Sequence, residues 1–163
     1  MKAILILMCT ILAGTGFLSA QTTTKMIASD ATIRYNDSVI LAEMILPLAD
    51  KSETPDWDTF AADVKAKFGE GYVDRNVTKG KIYYYYSRDW NAFSKALVRY
   101  TEKYEDKNDA KLMNKNAKMV AQHSQDPEDC KVALAWLKRG MEKEPDNTDY
   151  KQTYNALMEK TKS

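Results

Sequence analysis

From Trp57 to its end the chain sets apolar residues three and four positions apart, in stretches separated by short polar breaks. That spacing lines up one face of an α-helix. Trp57, Phe60, Ala61, Val64 and Phe68 form one stripe, behind Asp56 or Thr54 as a cap and ahead of Gly69 and Gly71 as stops. A helix from about Tyr72 to Tyr86 follows, with Val73, Val77, Gly80 and Tyr84 on its apolar face and Gly80 admitting a close neighbour. Ser87 and Arg88 make a tight turn. Asp89 then caps a helix carrying Trp90, Phe93, Leu97, Tyr100 and Tyr104. Asp109 caps the next, in which Leu112, Met113, Asn116, Ala117, Val120 and Ala121 share a face. Asp126, with Pro127 at the first helical position, opens a helix to about Lys143 that carries Val132, Ala133, Trp136, Leu137, Gly140 and Met141. Asn147 or Thr148 starts the last, with Tyr150, Tyr154, Leu157 and Met158.

The upstream pattern is less regular. Thr32 to Tyr35 reads as a short extended piece, and Asn36-Asp37-Ser38 offers a cap before Val39, Ile40, Leu41, Met44, Ile45 and Leu48. A helix is predicted there, a strand stays open, and Pro47 is expected to end or kink the helix near Leu46. The sum is an all-α chain of about seven helices joined by short loops, which pack as antiparallel neighbours.

Asp56-Trp57-x-x-Phe60 returns as Asp89-Trp90-x-x-Phe93, 33 residues on. A weaker third copy begins at Asp129, with Ala133 in the phenylalanine place and Leu137 where Val64 and Leu97 stand. Repetition at this interval predicts stacked two-helix units, and a compact non-repeat bundle is the competing arrangement. Stacked units present a surface that holds a partner, whereas a bundle suits a small-ligand or enzymatic pocket.

The last third of the chain resembles a tetratricopeptide repeat (TPR), a pattern of about 34 residues with small residues where helices cross. A unit begun at Asn114 sets Val120, Ala121, Ala133, Leu137, Gly140 and Pro145 at matching places, while Ala117 and Ser124 depart from the pattern. The earlier unit, about Val73 to Asp106, has Phe93 and Tyr100 at small places and Glu105 for proline. The style of Val77 to Trp90, of Ala133-Leu134-Ala135-Trp136 and of Glu144-Pro145-Asp146-Asn147 is similar to helical segments of exported bacterial proteins, some bearing a thioredoxin-like domain. This chain has no Cys-x-x-Cys, so the resemblance implies a scaffold without redox activity. It implies a right-handed TPR-like array of antiparallel hairpins over 36–163. The array would bind a protein or peptide partner on its concave face, where Lys115, Lys118 and Gln122 fall.

The first twenty residues have the layout of an export signal: Lys2, an apolar run from Ala3 to Leu12, then Leu18-Ser19-Ala20 before Gln21. Cleavage after Ala20 leaves a Thr-rich stretch, read with the residues up to 35 as a flexible N-terminal segment, and an exported product, periplasmic or secreted. No stable membrane insertion is expected once the signal is removed. Without Lys2 the chain balances 23 basic against 23 acidic residues. That balance argues against nucleic-acid or anionic-membrane binding, which needs a basic excess to release counterions.

Chemistry-bearing residues are sparse. His123 is the lone histidine, at a helix end where a cation suits the dipole, and nothing sets it near a nucleophile. Cys130 lies in a first helical turn, where the dipole favours a thiolate, but a small buried filler is the ordinary role of such a residue. Asp126, Glu128 and Asp129 are ordered for capping, not for a calcium loop. No catalytic residue, cofactor or metal is therefore expected. Tyr83 to Tyr86 is the most unusual local feature. Four successive tyrosines cannot all face inward, so one or two are expected at the surface, and Tyr83 and Tyr84 are candidate partner contacts.

Overall fold

The computed structural model describes residues 31–162, which are helical with no strand among them. Readings that fall on 1–30, the export signal included, lie outside the described residues. The chain divides into two compact units, 1–39 and 40–163. Of the first, residues 31–39 are helical, and the Ser38 hydroxyl donates to the Tyr35 carbonyl at 2.6 Å. This corrects two expectations: Thr32 to Tyr35 is not extended, and Asn36-Asp37-Ser38 lies within a helix instead of capping one. The end of the segment expected to be flexible, 31–35, is likewise helical.

The second unit contains a π-turn, Leu41–Ile45, then α1 (Leu46–Ala49), α2 (Trp57–Phe68), a 3-10 turn (Glu70–Tyr72), α3 (Val73–Tyr85), α4 (Trp90–Tyr104), α5 (Ala110–His123), α6 (Pro127–Lys143) and α7 (Thr148–Lys160). Of the two outcomes expected at Pro47, an end or a kink, the helix does not end there but is distorted just ahead of it by the π-turn. In a regular helix its ring would strike the carbonyl four residues back. Here the Leu46 amide reaches back five residues to the Leu41 carbonyl, and Pro47 sits in the first turn after this widened turn, where its missing N–H costs nothing.

Every later helix start but that of α3, where Tyr72 makes no capping bond, is capped as its sequence predicts. Asp56 accepts from the amides of Asp58 and Thr59 at 3.0 and 3.2 Å, Asp89 from Ala92 at 2.9 Å, and Asp109 from Leu112 at 3.0 Å. Asp126 accepts from Glu128 at 3.0 Å, and Asn147 from Asp149 at 3.0 Å. Gly69 ends α2 at φ 96°, a conformation other residues seldom adopt.

The repeated motif is built twice in the same way. Trp57 opens α2 and meets Phe60 edge-on at 6.0 Å and 87°; Trp90 opens α4 and meets Phe93 edge-on at 5.6 Å and 89°. The third copy is out of register. Asp126 caps α6, so Asp129 lies inside the helix, where it accepts the Ser124 hydroxyl at 3.0 Å.

Each helix from α2 onward packs against the next in sequence, and α1 with α3, α4 with α6 and α5 with α7 also touch. A larger core gathers Phe93, Leu97, Met113, Ala117, Val120, Ala133, Leu137 and Leu157; a smaller one gathers Ile40, Ile45, Phe60 and Val64. Helix α3 serves both, lending Val73 and Val77 to the smaller core and Ile82 and Tyr85 to the larger. Its most buried face is more polar than expected: Asn76 and Thr78 lie beside Gly80 and Tyr84. Both polar side chains donate to carbonyls one turn back, Asn76 to Tyr72 at 2.9 Å and Thr78 to Asp74 at 2.7 Å, which offsets their burial. Two glycines mark close helix approaches. A Cβ on Gly80 would stand 3.0 Å from the Trp57 ring, and one on Gly140 3.2 Å from the Tyr150 ring. Among the described residues no helix is long and apolar enough to cross a membrane.

Candidate functional site

Helix α5 exposes a basic stripe because its apolar residues turn inward. Met113, Ala117 and Val120 are buried, so Lys111, Lys115 and Lys118, at intervals of four and three, fall on the other side. The stripe faces the loop before α7 and its first turn across a cleft of about 370 Å3. Glu144, Asn147, Asp149 and Tyr150 form the far wall. Asn147 is fixed there by its capping role.

Two α5 side chains cross the cleft to Asp149. The Lys118 ammonium pairs with one carboxylate oxygen, and the Asn114 amide donates to the other at 2.6 Å. The Lys118 contact, opposed by desolvation and helped by Asn114, holds the Asp149 carboxyl below its ordinary pKa. Asn114 is 5 % exposed, and its side-chain carbonyl oxygen is buried with no hydrogen-bond partner. It is an acceptor lacking a donor, locked in place by its own amide.

Lys115 and Lys118 thus meet at one cleft, but Lys118 is already paired. Gln122 is exposed on α5 and does not line the cleft. Tyr83 is 41 % exposed and also stands apart from it. Tyr84 is corrected as a candidate contact. It is 4 % exposed, packs edge-on against Trp57 at 6.1 Å, and lies under the Arg88 guanidinium at 4.6 Å. Tyr86, at 53 % exposure, is the other surface tyrosine of the run. Lys111 and Asn114 were not foreseen as site residues. The same three-and-four spacing that selected Lys115 and Lys118 reaches Lys111, while Asn114 depends on Asp149, 35 positions away.

The remaining candidates lie against packed neighbours. His123 stacks flat on Trp90, ring centres 3.6 Å apart at 11°. Cys130 is 1 % exposed, and burial pushes its thiol pKa up, the reverse of what a nucleophile needs. Among the described residues no group of three or more His, Cys, Asp or Glu is placed to hold a metal ion.

A second charged cluster joins α3 to α4. Asp74 receives Lys103, Tyr104 and Arg99 together. The Lys103 and Tyr104 contacts, with a smaller share from Arg99 and against desolvation, hold the Asp74 carboxyl at about 2. A depressed carboxyl pKa stabilises the fold above the unfolded value, and that stability disappears as pH falls through the folded one. Asp74→Asn is therefore expected to unfold more easily than wild type at neutral pH, with the gap closing between roughly pH 4 and pH 2. Denaturant titrations of both proteins across that range check it; a gap independent of pH would show that the cluster does not act through charge. Comparison with protein-family models, with curated proteins and with solved structures finds no match to this chain.

Proposed function

We propose that this protein is an exported, non-catalytic scaffold, a right-handed TPR-like array of helix hairpins that holds a protein or peptide partner on its concave face. Supporting the array are the two Asp-Trp-x-x-Phe turns of like geometry, the sequential packing of helices, and glycines at two close approaches. The cleft between α5 and α7 is its contact site. An extended peptide offers what this cleft lacks, carboxylate or carbonyl oxygens for Lys111 and Lys115. A charge-assisted bond from Lys115 to a carboxylate supplies orientation as well as affinity. Lys118 acts indirectly, by holding Asp149 and through it Asn114. The exposed Lys111 and Lys115 along a cleft whose Asp149 carboxylate is already taken by Lys118 and Asn114 are the observation that carries this reading.

The test is identification of the protein that co-purifies with the mature chain from envelope extract, followed by its recovery on variants. Lys115→Glu is expected to lose the partner, and Lys111→Glu to weaken it, while both retain the wild-type helical spectrum. Equal recovery on Lys115→Glu would remove the cleft as the site. Small-angle scattering addresses the architecture, since a near-spherical particle would favour the bundle over the array.

A further inference from the structure

We propose that the groove between α4 and α6 is a second docking surface, which takes an acidic segment of another polypeptide carrying an apolar side chain beside its carboxylates. It lies on different helices from the α5–α7 cleft and does not depend on it. The groove measures about 350 Å3, with Val132 and Ala135 as its accessible apolar wall over the buried Trp136. Lys107, Lys131 and Arg139 line it against one lining carboxylate, Glu102. The chain is otherwise nearly balanced, at +1 overall, so this excess is local.

Glu102 shows how the groove receives a carboxylate. One oxygen accepts the Trp136 indole N–H at 2.7 Å and the other the Lys107 ammonium at 3.0 Å. Lys131 leans on Glu128 at 2.6 Å, but that pair stands in solvent, with side chains 56 and 76 % exposed, and is readily exchanged. Arg139 is exposed and has no ion pair among the described residues, and its field reaches Glu102. A free guanidinium at the rim of an apolar groove suits bidentate capture of a second carboxylate. The concavity and its buried indole favour a polypeptide over the alternatives. Trp136, at 3 % exposure, offers no ring face for a nucleobase to stack on, and a flat lipid surface cannot enter a groove.

The probe is an acetylated, amidated hexapeptide alternating aspartate and leucine, carrying a dye and titrated by fluorescence anisotropy. Its aspartates suit the α5–α7 cleft as well, so the Lys115→Glu variant separates the two sites. Binding is expected to weaken at least about tenfold in Arg139→Glu and to weaken with salt. It should stay within about twofold of wild type in Lys115→Glu, whose site is elsewhere. Arg139 is exposed, so the variant should melt as wild type does. Equal binding of an asparagine–leucine peptide with the same dye would overturn the proposal. So would unchanged binding by Arg139→Glu, or Arg139-dependent capture of anionic vesicles or single-stranded DNA in preference to the peptide.

Discussion

Gly140→Leu is expected to destabilise the domain by about 2–3 kcal/mol, through overpacking where α6 crosses α7. The first added carbon alone would lie 3.2 and 3.3 Å from the Tyr150 ring and 3.6 Å from the Ala110 Cβ. Tyr150 is 3 % exposed and sits in the first turn of α7, so its ring has little room to retreat. Alanine separates space from backbone: it gains roughly 1 kcal/mol of helix propensity over glycine and meets only that first contact. Gly140→Ala should therefore stand near wild type and Gly140→Leu well below it, with a midpoint lower by roughly 10 °C in thermal unfolding. A leucine variant that melts with wild type would mean that α6 and α7 do not approach closely at this point.

What could be read from the sequence follows from the range over which each interaction acts. Asp56, Asp89, Asp109, Asp126 and Asn147 were legible as caps because a cap and the amides it satisfies lie within three residues of each other. The inward stripes of α2, α4 and α5 were legible for a similar reason, since a helix repeats its faces at a fixed interval. At Pro47 a disturbance of the helix was legible but its form was not, because one widened turn has no signature in residue type. The face of α3 misled because Asn76 and Thr78 find partners on their own helix, so polarity did not keep them out of the interior. In the cleft, Lys115 was legible by position. The pairing of Lys118 with Asp149, 31 residues away, follows from how α5 and α7 meet. Asp74 with Arg99, Lys103 and Tyr104, and Glu102 with Trp136, escaped for that same reason.

Phe93→Ala is expected to cost about 3–5 kcal/mol, the range for emptying a buried phenylalanine site. The ring is 3 % exposed and meets Tyr86 at 5.6 Å, Trp90 at 5.6 Å and His123 at 6.2 Å. Its removal takes one wall from the Trp90–His123 stack as well as a buried side chain from the larger core, so tryptophan emission should shift along with stability. Phe60 is its counterpart in the repeated motif, 5 % exposed and set in the smaller core with Ile40, Ile45 and Val64. If stability is held mainly between neighbouring units, as in stacked repeats, the two substitutions act locally. Phe60→Ala should then raise amide exchange across α2 and the turn after it while leaving α5 to α7 protected. Phe93→Ala should expose α4 and α5 and, through Ile82 and Tyr85, the end of α3. Exchange that rises equally in every helix for both variants would instead describe one cooperative bundle, in which α3 ties the two cores so firmly that neither opens alone.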